Sequence, residues 1–327
     1  MIMLQNIEIN VFKSQTNKDL EKIVSGLQQP VKKIDTEFTY DENGSQIYDK
    51  ICKLPEYYPA WQEMAIMEQY IDEIVSLVGA NCLLIDYGSG SSDKTCILLN
   101  RLPQIAGYIP IDISKKYLID SATKIAENYP NLEVLPVCTN YHDYFEIPSP
   151  KKLVKRRLAF ISGITIGNEH PPQLISLLKN IKQTCGSNGA MLVSVDLKKD
   201  LEILNSAYND SSGLNVAIAL NFLQRMNREL NANFKINQFQ YKAIYNEQIG
   251  RMEMKLFSLQ KQSVNIGKHC FEFKVGEPIL LAYSYKYNLN DFANIAARGG
   301  WEVNRVWTDP HKLFSIQYLT VAPSVKI

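Results

Sequence analysis

The stretch Leu83-Leu84-Ile85-Asp86-Tyr87-Gly88-Ser89-Gly90-Ser91-Ser92-Asp93-Lys94 constrains this chain more than any other. An apolar run passes at once into an acid, two glycines one residue apart and small hydroxyl residues. Such an order describes a buried parallel strand that turns sharply into a helix whose N-terminus faces a ligand. Neither glycine carries a Cβ, so the backbone at Gly88 and Gly90 can approach that ligand closely. A second acid, Asp112, follows the next strand-like run, Gly107-Tyr108-Ile109-Pro110-Ile111. An acid about 20 residues beyond the glycines can take a pair of ribose hydroxyls. The pattern fits a nucleoside-bearing cofactor on a doubly wound sheet.

A dinucleotide site needs a third glycine so that a pyrophosphate can sit on free N–H groups. Asp93 occupies that position here. A carboxylate is unfavourable beside a pyrophosphate but favourable beside a sulfonium or an ammonium. Asp86, just ahead of the glycines, is expected to act in the same direction. These acids favour S-adenosylmethionine over a nicotinamide dinucleotide.

Composition narrows the class further. The chain has 327 residues, enough for two domains or for one core with a large insertion. Its net charge of +1 gives no electrostatic reason for nucleic acid or an anionic membrane as a partner. Six cysteines lie far apart without a C-x-x-C pair, as expected for free thiols in a reducing compartment. No uncharged run is long enough to cross a bilayer, and the N-terminus lacks the basic start and apolar core of a signal peptide. A cytoplasmic protein is expected. No Cys, His and carboxylate cluster has metal-ligand spacing.

Along the chain, an amphipathic piece at 20–27 precedes a turn signal, Tyr40-Asp41-Glu42-Asn43-Gly44-Ser45, and a short helix that Pro55 stops. Helical spacing holds from Gln62 to Val78. Strands at 82–87, 108–111, 132–138, 158–163 and 190–197 then alternate with helices at 94–102, 115–128 and 172–184, an α/β pattern with a mainly parallel sheet. Beyond Lys198 the pattern changes. Helical sequence with a break at Asn209-Asp210-Ser211-Ser212-Gly213 leads into strands at 239–245, 251–259, 269–273 and 279–285. A helix at 289–298 and strands at 302–308 and 314–321 return to the first pattern.

Several of these blocks, in this order, resemble the histidine-specific N-methyltransferase family, whose SAM-dependent members make hercynine on the ergothioneine pathway. The resemblance runs from about Phe38 to Val321. Its carriers are Tyr40-Asp41-x-x-Gly44-Ser45, Leu54-Pro55-Glu56-Tyr57-Tyr58-Pro59, Gly88 to Thr95, Thr165-Ile166-Gly167-Asn168, Val195-Asp196-Leu197-x-Lys199-Asp200, Asn227-Arg228-Glu229-Leu230 and Trp307-Thr308-Asp309-Pro310. It implies a Rossmann-like SAM-dependent methyltransferase core of residues 62–198 and 286–327. An α+β substrate-binding domain would comprise 1–61 and 199–285. Gly88, Ser89, Gly90 and Lys94 would line the methionine end of SAM, and Asp112 would take the ribose. The family's adenine-side Asp-Phe pair stands here as Asn140-Tyr141, and Asn140 keeps an acceptor oxygen. Asn168 and Tyr208 would hold an α-amino acid head group, with Tyr40 and Tyr57 closing over the substrate.

The chain departs from the family where the imidazole is recognised. A Glu two residues before a Ser does that work in the family. Here Ser284 remains but Ala282 stands in the Glu position. A carboxylate aimed at an imidazole N–H contributes about 1.5–3 kcal/mol, and its loss also removes a means of rejecting other side chains. The smaller residue leaves volume for an indole or a phenol, and Met254 matches a methionine that packs beside the substrate ring. Trp61 replaces an Arg of the family, and Ile218-Ala219 a Phe-Asn pair. The expected substrate is therefore an aromatic amino acid or related amine other than histidine, methylated on its α-nitrogen. Positioning by Asn168 and Tyr208 would carry most of the catalysis, without an assigned general base. A histidine methyltransferase that supplies the carboxylate from elsewhere, and a non-catalytic SAM-binding protein, are the alternatives. Oligomeric state stays open.

Overall fold

A computed structural model describes residues 10–11, 16–142 and 145–322. Its strands are β1 (Asn10–Val11), β2 (Cys82–Tyr87), β3 (Gly107–Asp112), β4 (Val137–Cys138), β5 (Arg156–Ile161), β6 (Ala190–Asp196), β7 (Phe239–Asn246), β8 (Arg251–Ser258), β9 (Gln262–Ile266), β10 (His269–Phe273), β11 (Pro278–Tyr285), β12 (Trp301–Thr308) and β13 (Phe314–Val321). The helices are α1 (Thr16–Leu27), α2 (Glu42–Ile51), α3 (Tyr58–Val78), α4 (Asp93–Leu99), α5 (Lys115–Asn128), α6 (Pro171–Cys185), α7 (Leu201–Tyr208), α8 (Leu214–Leu230) and α9 (Leu289–Arg298). The chain divides into two compact units.

The larger unit contains β1, Pro59–Lys198 and the described residues from Tyr287 onward. Its sheet has the order β1-β4-β3-β2-β5-β6-β13-β12. The pairs from β1 to β6 are parallel, while β13 runs antiparallel to both β6 and β12. Every residue of β2 and of β6 is buried, which is why both are mainly apolar without a polar alternation, Asp86, Ser194 and Asp196 being the buried polar exceptions. In α5 the buried Leu118, Ser121, Ala122 and Ile125 recur at helical spacing, and α6 starts on Pro171 and ends on Gly186 at φ +75°. The Rossmann-like α/β core expected from the sequence is present.

Two expectations change here. The strand expected at 132–138 is confined to Val137–Cys138, with a single bridge from Val134 to Tyr108. Pro136 lies between them and has no N–H to give to a ladder. The sequence also assigns 1–61 to the second domain, whereas β1 pairs with β4 and Pro59–Trp61 belong to the larger unit.

The smaller unit holds residues 16–58 and Lys199–Lys286. An antiparallel sheet of order β11-β8-β7 and a β9-β10 hairpin share its core with α1 and α8. Ile23 and Leu27 of α1, Phe222 and Leu223 of α8, and Leu256 and Ile279 of the sheet are all buried there. Strand β9 escapes detection in the sequence, since Gln262, Ser263 and Asn265 leave only Val264 and Ile266 as apolar positions. Its partner β10 closes the hairpin over two residues, the first being Gly267 at φ +55°.

Candidate active site

In the larger unit the C-terminal ends of the parallel strands gather the predicted cofactor residues. The sheet order puts β3 on one side of β2 and β5 on the other, so the strand order reverses at β2/β5. Open α/β sheets bind ligands outside the carboxyl ends of strands at such a switch point. Gly88 and Gly90 both adopt positive φ, +78° and +53°. A Cβ on Gly88 would lie 3.9 Å from the Thr165 hydroxyl and 4.0 Å from the Tyr141 ring edge. The loops after β2, β4 and β5 therefore meet around this glycine.

Asp112 ends β3. One of its oxygens accepts from Ser114 N–H at 2.8 Å and the other from Gly90 N–H at 3.3 Å. Burial raises its pKa, while those backbone donors act in the opposite direction. Each carboxylate oxygen has a second lone pair available to a hydroxyl donor. The Ser89 hydroxyl is buried with no hydrogen-bond partner. A polar ligand group there would satisfy it, so the donor and acceptor set fits a ribose-bearing cofactor. Asn140 uses its side-chain oxygen to accept from His142 N–H at 3.1 Å, which fixes the amide within the turn. Tyr141 meets Tyr87 edge to face with ring centroids 6.3 Å apart. Asn168 closes the turn Thr165–Asn168 and is half-buried.

Two acids behave differently from the sequence expectation. Asp86 is engaged within the scaffold: its Oδ2 accepts from Thr95 Oγ1 at 2.5 Å and from Tyr108 OH at 3.0 Å, and the side chain is fully buried. Asp93 is exposed and accepts from Ser91 Oγ at 2.8 Å. Lys94 is held by an acid that the sequence does not flag, Glu63 of α3. Glu63 has no exposed surface and also accepts from Gly163 N–H at 2.8 and 3.0 Å and from the Ser194 hydroxyl. Only its place in an apolar helical run hinted at burial.

The smaller unit holds the predicted substrate residues other than Asn168, which belongs to the larger unit. A series of tyrosines stacks edge to face: Tyr40 on Tyr48 at 5.9 Å, Tyr48 on Tyr57 at 6.3 Å and Tyr57 on Tyr208 at 6.3 Å. Tyr208 OH donates to Ser284 Oγ at 3.0 Å, and the buried Lys286 ammonium donates to both hydroxyls at 2.7 Å. Tyr48 and Lys286, absent from the sequence-derived set, join this network. Burial pushes the Tyr48 and Tyr57 phenols well above their ordinary pKa, so both stay neutral.

Ala282 and Ser284 of β11 alternate onto one face with Lys286, the residue just past the strand, and the polar groups of this face reach Tyr208 of α7. A register irregularity at Leu281 precedes Ala282. Ala282 pairs with Met254, which pairs in turn with Ala243, so one row of the sheet reads Ala, Met, Ala. Ala282 and Met254 are half-buried. Trp61 is 46% exposed, and Ala219 belongs to the core.

Residues 19–321 match the family described as "Histidine-specific methyltransferase, SAM-dependent". The chain is 32% identical to the histidine N-alpha-methyltransferase of Mycolicibacterium smegmatis, over 88% of this chain and 89% of that protein. It is 33% identical to the protein of the same name from Mycobacterium tuberculosis, over 88% and 90%. A 4-dimethylallyltryptophan N-methyltransferase of Aspergillus fumigatus is 24% identical over 89% of this chain and 90% of that protein. This chain belongs to the histidine-specific, SAM-dependent methyltransferase family and is an N-methyltransferase that uses S-adenosylmethionine.

Proposed function

We propose that this enzyme methylates the α-amino nitrogen of an amino acid whose side chain is an indole or phenol rather than an imidazole. The observation that carries this is Ala282. It lies on the sheet face that bears Ser284, in a row with Met254 and Ala243 that itself offers no carboxylate to read a ring N–H. A thioether between two alanines accommodates flat rings of varied size. The likeness to a protein named for a tryptophan derivative supports the same substrate class.

Bound S-adenosylmethionine supplies an electrophilic methyl group on a sulfonium. In the larger unit, Asp112 would accept from the ribose hydroxyls, Asn140 and Tyr141 would flank the adenine, and Gly88, Ser89, Gly90 and Lys94 would line the methionine end. Asn168 donates to the substrate head group. In the smaller unit, Tyr208 would turn its one hydroxyl proton from Ser284 to the substrate carboxylate, Tyr40 and Tyr57 would cover the reacting amine, and Met254, Ala282 and Ser284 would face its side chain. Tyrosine faces stabilise a growing methylammonium by cation–π attraction, worth about 0.5–2 kcal/mol. Holding the nitrogen for in-line attack on the methyl group would then supply most of the rate without a general base.

A second reading, histidine as substrate, is favoured by the names of the two relatives above 30% identity. Mass spectrometry of reactions with SAM and each standard amino acid separates the two. The expected result is methylation of tryptophan or tyrosine with histidine inert. In Ala282→Glu, histidine turnover should rise about 10- to 100-fold, the value of one charged hydrogen bond. Histidine as the best wild-type substrate would overturn the proposal.

A further inference from the structure

We infer that Glu63 is a positioning residue for cofactor binding, acting through Lys94; this rests on the proposed placement of Lys94 at the methionine end. Three elements converge on the one carboxylate. Lys94 comes from α4, the helix that follows β2, and pairs with Glu63. Gly163 comes from the turn that follows β5, and both carboxylate oxygens accept its N–H, at 2.8 and 3.0 Å. Ser194 comes from β6 and donates its hydroxyl to the same group. Since the strand order reverses at β2/β5, Glu63 ties together the loops on both sides of the ligand crevice.

Burial of this acid has a clear physical consequence. An ionised carboxylate without exposed surface is tolerated only when its lone pairs are filled, and here two donors of the scaffold fill most of them. The carboxylate is thereby fixed, and it fixes in turn an ammonium on a flexible four-carbon stem that is itself 20% exposed. Lys94 is delivered in one place instead of sampling several rotamers. Without Glu63 the ammonium would lose its aim.

The test compares two ligands that differ only at the methionine end. S-adenosylhomocysteine carries the amino acid group, and 5′-methylthioadenosine lacks it. Isothermal titration of Glu63→Gln should give about tenfold weaker S-adenosylhomocysteine binding, with 5′-methylthioadenosine changed by less than about twofold. Glutamine still accepts from Gly163 but cannot form the ion pair. Lys94→Met should lose S-adenosylhomocysteine selectively as well, and the double variant should be no weaker than the worse single one. Should Glu63→Gln not fold, Ser194→Ala removes one donor from the carboxylate and should produce a smaller loss, about threefold, in the same direction. Equal weakening of both ligands would mark Glu63 as a purely structural strut and overturn its positioning role. A selective loss in Lys94→Met with unchanged or tighter binding in Glu63→Gln would overturn that role alone. Lys94→Met that affects both ligands alike would overturn the placement of Lys94 and this inference with it.

Discussion

At the scale of single residues, the two buried acids near the crevice are held in opposite ways. Glu63 meets donors on both oxygens, whereas Asp86 leaves Oδ1 without a partner. Burial pushes the Asp86 carboxyl from 3.8 up to about 6; Thr95, Tyr108 and Lys94 pull it down and Asp112 pushes it up. The folded protein therefore binds this proton more tightly than the unfolded chain does. Between pH 4 and 6 the folded state keeps the proton that the unfolded state has lost, so stability from this group falls as pH rises. Below that window the charge penalty is absent, and above pH 6 it is complete, at about 2–3 kcal/mol. Urea unfolding of the wild type and Asp86→Asn from pH 4 to 8 checks this. Wild-type stability should drop relative to the variant by that amount between pH 4 and 6 and stay level above. A pH-independent difference between the two proteins would contradict it.

At the scale of elements, the break between α7 and α8 is a built helix start. Asp210 accepts from Leu214 N–H and Asn215 N–H, both at 2.8 Å, and from the Ser212 hydroxyl and the Asn215 amide. Burial alone would raise its pKa, but these four donors hold it below the ordinary carboxylate range. The same logic recurs at α2, where Asp41 accepts from Gly44 N–H at 2.8 Å, from Asn221 of α8 at 2.7 Å and from Arg228 at 2.6 Å. The two caps are thus linked through α8, which carries Phe222 and Leu223 into the core of the smaller unit. Asp210→Ala should cost about 2 kcal/mol by chemical denaturation, the upper range for loss of an N-terminal cap. Asp210→Asn, which keeps an acceptor, should recover at least half of it. Equal losses in both variants would show that charge, not capping, is at work.

At the scale of the whole molecule, the six cysteines report on packing. All are free thiols. Cys82 lies within β2 and Cys185 ends α6, and burial raises each thiol to about 12, which leaves little thiolate at neutral pH. Cys270 on the hairpin is exposed. Brief alkylation of the native protein followed by peptide mapping should label Cys270 first, with Cys82 and Cys185 labelled only after unfolding. Comparable labelling of Cys82 in the native state would mean that β2 is not the buried strand described here. Among the described residues, no helix is long and apolar enough to cross a membrane.

The amino-acid sequence alone determined the alternation of strands and helices, the glycine turn after β2, the change of pattern beyond Lys198 and the Ala282 departure. Each of these is local: it rests on apolar periodicity, on residues that permit a turn, or on one position within a motif. Tertiary structure decided what depends on distant partners. Pro136 shortened β4 only because a ladder needs an N–H at that point, and the polar β9 became a strand only because β10 pairs with it. Asp86, which in sequence looks like a charge aimed at a ligand, faces Thr95 and Tyr108 instead. Glu63 lies 31 residues from Lys94, 100 from Gly163 and 131 from Ser194, and no spacing rule joins them. Charge placement is set by which strands become neighbours, and strand order is a property of the folded sheet rather than of any segment within it.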